Sequence, residues 1–168
     1  ELGEDVIAAR VDPKVAMVPE FVEYVEKALD VPAKNYVNSG VLLMDLKKLR
    51  KLHYITKMTD LVKKDADLVA PDQDYLNVIL RGQILKLDPV WNAEPVKDLP
   101  RNVKLVHFNL FNKPWHYKNV PCERIFWAAA KGTGFYGDLK RQQAAFDTEK
   151  QKADHAKVGA LIQKAARL

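Results

Sequence analysis

The chain has 168 residues, 48% apolar and 29% charged, which fits one globular domain with a real core and excludes an intrinsically disordered chain. No apolar run nears the roughly 18 residues that span a bilayer, and nothing at the start reads as a secretory leader. The net charge of +5 is uneven, with eight acids against three bases in residues 1–30 and +10 on the rest.

That basic balance is open to nucleic acid, an anionic small substrate, an acidic membrane surface or a solvated lysine-rich face. The arginine-rich runs and interleaved aromatics of single-strand binders are missing. The single cysteine, Cys122, cannot form an internal disulfide, so a reducing, cytoplasmic setting is expected.

In chain order, "EDVIAARVD" predicts a strand. "VPEFVEYVEKALDVP" predicts a helix with Pro19 in its first turn, Phe21, Val25 and Leu29 on one face, and Pro32 as its stop. The run Val41–Met44 reads as a strand buried on both faces, with Gly40 before it allowing close backbone approach. Asp45 is placed to cap one helix through "LKKLRKLHYITKMTDLVKK". "DQDYLNVILRG" predicts a helix started by Asp72 and ended by Gly82. "QILKLD" and "NVKLVHFN" read as strands, and "NLFNKPW" as a loop. "CERIFWAAAKG" and the stretch from Asp138 to the end read as helices, the last with a weak apolar stripe. Alternating strands and helices predict an α/β fold with a mixed sheet.

Two acid-x-acid triads, Asp65–Asp67 and Asp72–Asp74, each could hold a divalent metal if projected from a strand end into a cleft. The first follows "TDLVKK", the basic end of a helix, so its acids are expected to be solvated. The second stands at a helix start, where the residues alone favour Asp72 as a helix cap over a sugar-hydroxyl partner acting with the Gln73 amide.

Three stretches carry a resemblance when read together: "YVNSGVLLMDLKKLR" (36–50), "DQDYLNVILRGQILKLDPVWN" (72–92) and "HFNLFNKPWHY" (107–117). In content, order and separation they resemble glycosyltransferase family 8, retaining enzymes that include glycogenin and bacterial lipopolysaccharide glucosyl- and galactosyltransferases. "ELGEDVIAA" and "VPCERIFWAAAK" look like a bacterial subgroup of it. The resemblance covers residues 1 to about 137. It implies a GT-A-like mixed sheet flanked by helices, a UDP-sugar donor (UDP-glucose or UDP-galactose), Mn²⁺, and a glycan or glycoconjugate acceptor.

Carried over by position, the resemblance makes His107 a metal ligand and Lys113 the cation on the donor diphosphate. It makes Asn38, Ser39 and Gly40 a substrate-binding turn. Asp72 and Gln73 become the catalytic acid and amide at the sugar's reactive face, and Asp74 a support for the helix start. Trp115 is expected to pack under the loop. Retention is open to two displacements through a covalent intermediate or to same-face attack guided by the leaving phosphate.

Departures accompany the match. Val37 stands where an aromatic is usual, and Leu110 where the family has a glycine. The family's metal-binding acid-x-acid motif and uridine-binding strand lie upstream of "NSG", and neither falls within these residues, so Asp65–Asp67 is in the wrong place to replace it. The expectation is therefore a carboxyl-terminal portion of the domain over residues 1–137, short of about 100 residues by typical domain size, with a helical extension over 138–168. Such a portion is expected to be inactive alone and to self-associate through an exposed sheet edge. The charge adds association with the inner face of a membrane. No nucleic-acid partner is expected, although a non-catalytic basic module for nucleic acid or an acidic polymer is the alternative, separable by a steep salt dependence of binding.

Overall fold

A mixed three-stranded sheet carries the first part of the chain. The computed structural model describes residues 1–64 and 67–168. Asp65 lies outside the described residues, whereas Asp67 is exposed and pairs with Lys164 at 2.5 Å. Strand β1 (Ile7–Val11) is central, with β2 (Val37–Met44) antiparallel on one side and β3 (Ile84–Lys86) parallel on the other. The α/β class with a mixed sheet is what the sequence predicts.

Val6, Ile7, Ala8 and Ala9 are all buried, so β1 is the strand covered on both faces. The sequence assigns that role to Val41–Met44. Instead, Leu43 and Met44 are 53% and 46% exposed. The cause is topological: β2 pairs with β1 alone and has no second strand beside it among the described residues.

Helix α1 (Pro19–Lys27) begins on its proline and buries Tyr24 and Val25, with Phe21 packed partly against the same core as Leu29. Asp45 accepts from the N–H groups of Lys47 and Lys48, capping α2 (Leu46–Lys51) as its sequence position predicts. The single long helix expected there is two. His53 adopts a positive φ of 52°, which ends α2 before α3 (Tyr54–Lys64) begins. Helix α4 (Pro71–Ile79) starts one residue earlier than predicted, and Gly82 lies beyond its end with φ 75°.

Two compact units divide the chain. One is Glu1–Asp88 with Ala160–Leu168; the other is Pro89–Gly159. The first holds two cores, one around Tyr24, Val25, Tyr36 and Tyr75, the other around Ile7, Val37, Leu76 and Leu80.

In the second unit, "NVKLVHFN" forms a single bridge among the described residues, Ala93 to Val106. Strand pairing fails because the N–H groups of Lys104 and Leu105 both turn to the carbonyl of Val90, in the 3₁₀ turn Pro89–Trp91. Helix α5 (Glu123–Ala130) matches expectation. The predicted last helix is broken into α6 (Tyr136–Ala145) and α7 (Thr148–Ala165). Phe146 leaves the helical region at ψ 81°, and Asp147 restarts the chain by accepting from the Lys150 N–H.

Candidate active site

The antiparallel register between β1 and β2 slips at the "NSG" turn. Ala9 faces Leu42, yet Val11 faces Val37 rather than Gly40. The intervening residues bulge from the ladder, which leaves their polar groups available to something other than β1. That something is the start of α4. Asn77, 1% exposed, reaches across with its side-chain amide: Oδ1 accepts from the Val37 N–H at 2.8 Å and Nδ2 donates to the Val37 carbonyl at 2.8 Å. One amide thus does for Val37 what a neighbouring strand would do.

With β2 held there, the turn and the helix start interlock. Gln73 Oε1 accepts from Asn38 Nδ2 at 3.1 Å and from the Ser39 N–H at 3.0 Å. Ser39 Oγ donates to Asp72 Oδ2 at 2.7 Å. Within the turn, the Gly40 N–H donates to Asn38 Oδ1 at 3.0 Å. Five of the sequence-predicted site residues, Asn38, Ser39, Gly40, Asp72 and Gln73, therefore share one hydrogen-bonded cluster. Asp72 is the second residue of α4 and does not cap it; its carboxylate faces the turn.

Asp12 belongs to the same cluster and is absent from the sequence-based set. Its Oδ2 accepts from Asn38 Nδ2 at 3.2 Å and from Gln73 Nε2 at 3.0 Å, while Oδ1 accepts from the Lys14 N–H. The signal was available: "IAARVD" ends a buried apolar strand on an acid, the very placement that projects a carboxylate into a cleft.

Asp74 anchors this arrangement from below. It is fully buried and accepts from Tyr36 Oη at 2.5 Å, Tyr24 Oη at 2.9 Å and the Ala70 N–H at 2.8 Å. Reaching back to the residue before the helix, it satisfies an otherwise orphaned N-terminal donor. Burial raises the Asp74 carboxyl above its ordinary range, against the three donors that favour its charged form. Burial and the nearby Asp74 charge also hold the Tyr36 hydroxyl protonated.

Beside Ser39 and Asp72 lies a groove of about 220 Å³ with walls from Leu42, Met44, Tyr54 and Met58. Burial, and then the Asp72 charge, raises the Tyr54 hydroxyl's pKa, so it remains a donor. Small-molecule sites are typically about 300–1,000 Å³, so this groove alone is smaller than a whole sugar-nucleotide site.

His107 and Lys113 lie in the second unit, on the loop after the Ala93–Val106 bridge. His107 Nδ1 is 3.0 Å from Oδ1 of the buried Asn92. With the amide oxygen accepting, the ring proton sits on Nδ1, and Nε2 is then the nitrogen through which this imidazole would ligate a metal. One imidazole is a fitting donor but not a site: among the described residues no group of three or more His, Cys, Asp or Glu could hold a metal ion. Leu110 has a positive φ, 45°, a left-handed conformation natural to glycine. Trp115 packs on Phe126, with ring centroids 5.1 Å apart.

Comparison with known proteins gives one family. The model described as Glycosyl transferase family 8 matches residues 1–119. Among curated proteins, the chain is 28% identical over 136 residues to a lipopolysaccharide 1,2-glucosyltransferase of Escherichia coli, covering 71% of this chain and 40% of that protein. It is 31% identical over 101 residues to general stress protein A of Bacillus subtilis, covering 48% and 35%. The chain thus spans less than half the length of these relatives. Among solved structures, it aligns with the bifunctional glycosyltransferase WbbM at a TM-score of 0.68 and 18% identity, over 86% of this chain and 31% of that one. It aligns with LgtC, solved with donor and acceptor sugar analogues, at a TM-score of 0.59 and 19% identity, over 92% and 57%. These likenesses are to GT-A-like folds.

Proposed function

The chain belongs to glycosyltransferase family 8, and from that premise we propose that it is part of a retaining transferase. The donor is a UDP-hexose, UDP-glucose or UDP-galactose, and the acceptor a glycan or glycoconjugate. The observation that carries this proposal is the cluster of Asp12, Asn38, Ser39, Asp72 and Gln73, in which two separate motifs of the sequence meet through three hydrogen bonds of 2.7–3.1 Å and Gln73 donates a further one to Asp12 at 3.0 Å. Carboxylate, amide and hydroxyl groups in one cluster are the donors and acceptors that sugar hydroxyls require.

In this proposal Asn38, Ser39 and Gly40 bind substrate, and Asp72 and Gln73 stand at the reacting face. The Gln73 oxygen already accepts two hydrogen bonds and its nitrogen donates to Asp12. A side-chain oxygen with its lone pairs so engaged is a poor nucleophile, which favours same-face attack over a covalent step on that amide. In that route the acceptor hydroxyl bonds to the anomeric carbon as the bond to the diphosphate oxygen breaks, and the leaving phosphate takes the hydroxyl's proton. Lys113 would neutralise charge on the departing diphosphate. His107 would give one ligand to Mn²⁺, a metal that stabilises the same negative charge. Since the described residues assemble no complete metal site, no step is assigned to the ion.

By itself the chain is proposed to be inactive, on the strength of the incomplete metal donors, the small groove and the 40% span of its Escherichia coli relative. The outer edge of β2, which has no second strand beside it among the described residues, is the proposed seat of self-association. Among the described residues no helix is long and apolar enough to cross a membrane, and a cytoplasmic enzyme peripheral to the membrane's inner face is proposed. The test is release or transfer of labelled hexose from UDP-glucose and UDP-galactose with Mn²⁺. It compares this chain with a longer polypeptide carrying it behind a strand that ends in Asp-x-Asp. Turnover is expected from the longer polypeptide only, and none from either would refute the transferase proposal.

A further inference from the structure

Helices α6 and α7 make a set of contacts whose common target is the loop that bears His107 and Lys113. Gln143 of α6 donates from one amide nitrogen to two loop carbonyls, Pro114 at 2.7 Å and Tyr117 at 3.1 Å. Tyr117 Oη donates to Asp154 Oδ2 of α7 at 2.8 Å. Two imidazole–phenyl stacks flank these bonds. The His116 ring lies 4.1 Å from Phe146, within 2° of parallel, and the His155 ring 4.0 Å from Phe111, within 5°. Burial, reinforced by the Lys113 charge, lowers the His116 pKa, keeping that ring neutral in its stack.

We infer that α6 and α7 lock the 107–117 loop in a single conformation, with Gln143 as its positioning residue. The geometry is specific for this task. A loop carbonyl normally turns to water, and capturing two of them on one buried-side amide fixes the peptide planes on both sides of His116. The backbone of Lys113 is fixed in turn, since its carbonyl accepts from both His116 and Tyr117 N–H groups at 2.9 Å. Leucine at position 110, with φ 45°, gives the loop a strained point that glycine would lack. Outside contacts that over-determine the loop are what allow such strain to persist. The consequence for donor binding rests on the transferase proposal; the lock itself does not.

The experiment is amide hydrogen exchange on the whole 168-residue chain, comparing wild type with Gln143→Leu, which keeps bulk and removes the donor. Exchange in residues 108–118 is expected to rise about tenfold, the effect of losing hydrogen bonds worth about 1.4 kcal/mol in total, while β1 is unchanged. Tyr117→Phe, which loses one bond and keeps the ring, is expected to give a smaller rise confined to the same loop. It decides the matter if the leucine variant fails to fold. Unchanged exchange in 108–118 in both variants overturns the lock. In the transfer-competent polypeptide, Gln143→Leu is expected to raise the donor KM about tenfold with kcat within about twofold. A loosened loop with unaltered KM would overturn the positioning role. Absence of transfer even in wild type would count against the proposed function, leaving the exchange data to judge the lock.

Discussion

Asn77 and Val37 are 40 residues apart in sequence, yet the Asn77 side chain bonds both backbone groups of Val37 at 2.8 Å. A third bond, from Nδ2 to the Gln73 carbonyl at 2.9 Å, ties the same amide to the first turn of its own helix. Through this one residue the bulged "NSG" turn and the "DQD" helix start are set against each other.

Replacing Asn77 by leucine should therefore leave the Val37 N–H and carbonyl buried without partners. The expected cost is about 3 kcal/mol, a fall in Tm of roughly 10 °C for a chain of this size. Urea and thermal unfolding would measure it. A loss below about 1 kcal/mol would mean that β2 is held some other way.

Asp74 makes stability depend on pH with a definite sign. Its folded-state pKa is raised by burial above the ordinary 3.8, so the native state binds the proton more tightly than the unfolded chain. The stabilisation from this group is then complete below its ordinary pKa and is lost as pH climbs through the raised value. Subtracting the unfolding free energy of Asp74→Asn from that of wild type isolates the effect from other carboxylates. The difference should decline with pH above 3.8 and then level. A difference that grows instead would show the tyrosine donors outweighing burial.

Leu110 occupies a left-handed conformation at φ 45°. Leu110→Gly removes steric strain of about 1 kcal/mol but also loosens the unfolded chain by a comparable amount, so stability should change by less than about 0.5 kcal/mol. Leu110→Val, β-branched in the same conformation, should cost about 1–2 kcal/mol. Equal stability of the two variants in chemical unfolding would remove the strain assignment.

Much of this was legible in residue order, because local signals dominate where contacts are local. The Asp45 cap and the Pro19 helix start both follow from short motifs. What escaped has long-range causes. The two-face burial given to Val41–Met44 belongs to β1, since only topology decides which strand lies at the centre. Asp12 was missed because it is a lone acid 26 residues from Asn38 and 61 from Gln73. The broken helices at His53 and Phe146 interrupt continuous helix-forming composition, which carries no breaker such as Gly or Pro at either point.

In the proposed transferase, Gln73 and its neighbours face the sugar undergoing transfer. Steady-state transfer from the UDP-hexose by the longer, competent polypeptide tests it most directly when Gln73→Ala is set against wild type. The predicted result is a kcat lower by about 100-fold with donor KM within about threefold, as expected when a group acts at the reacting centre rather than in binding. Full turnover in the variant would contradict the account.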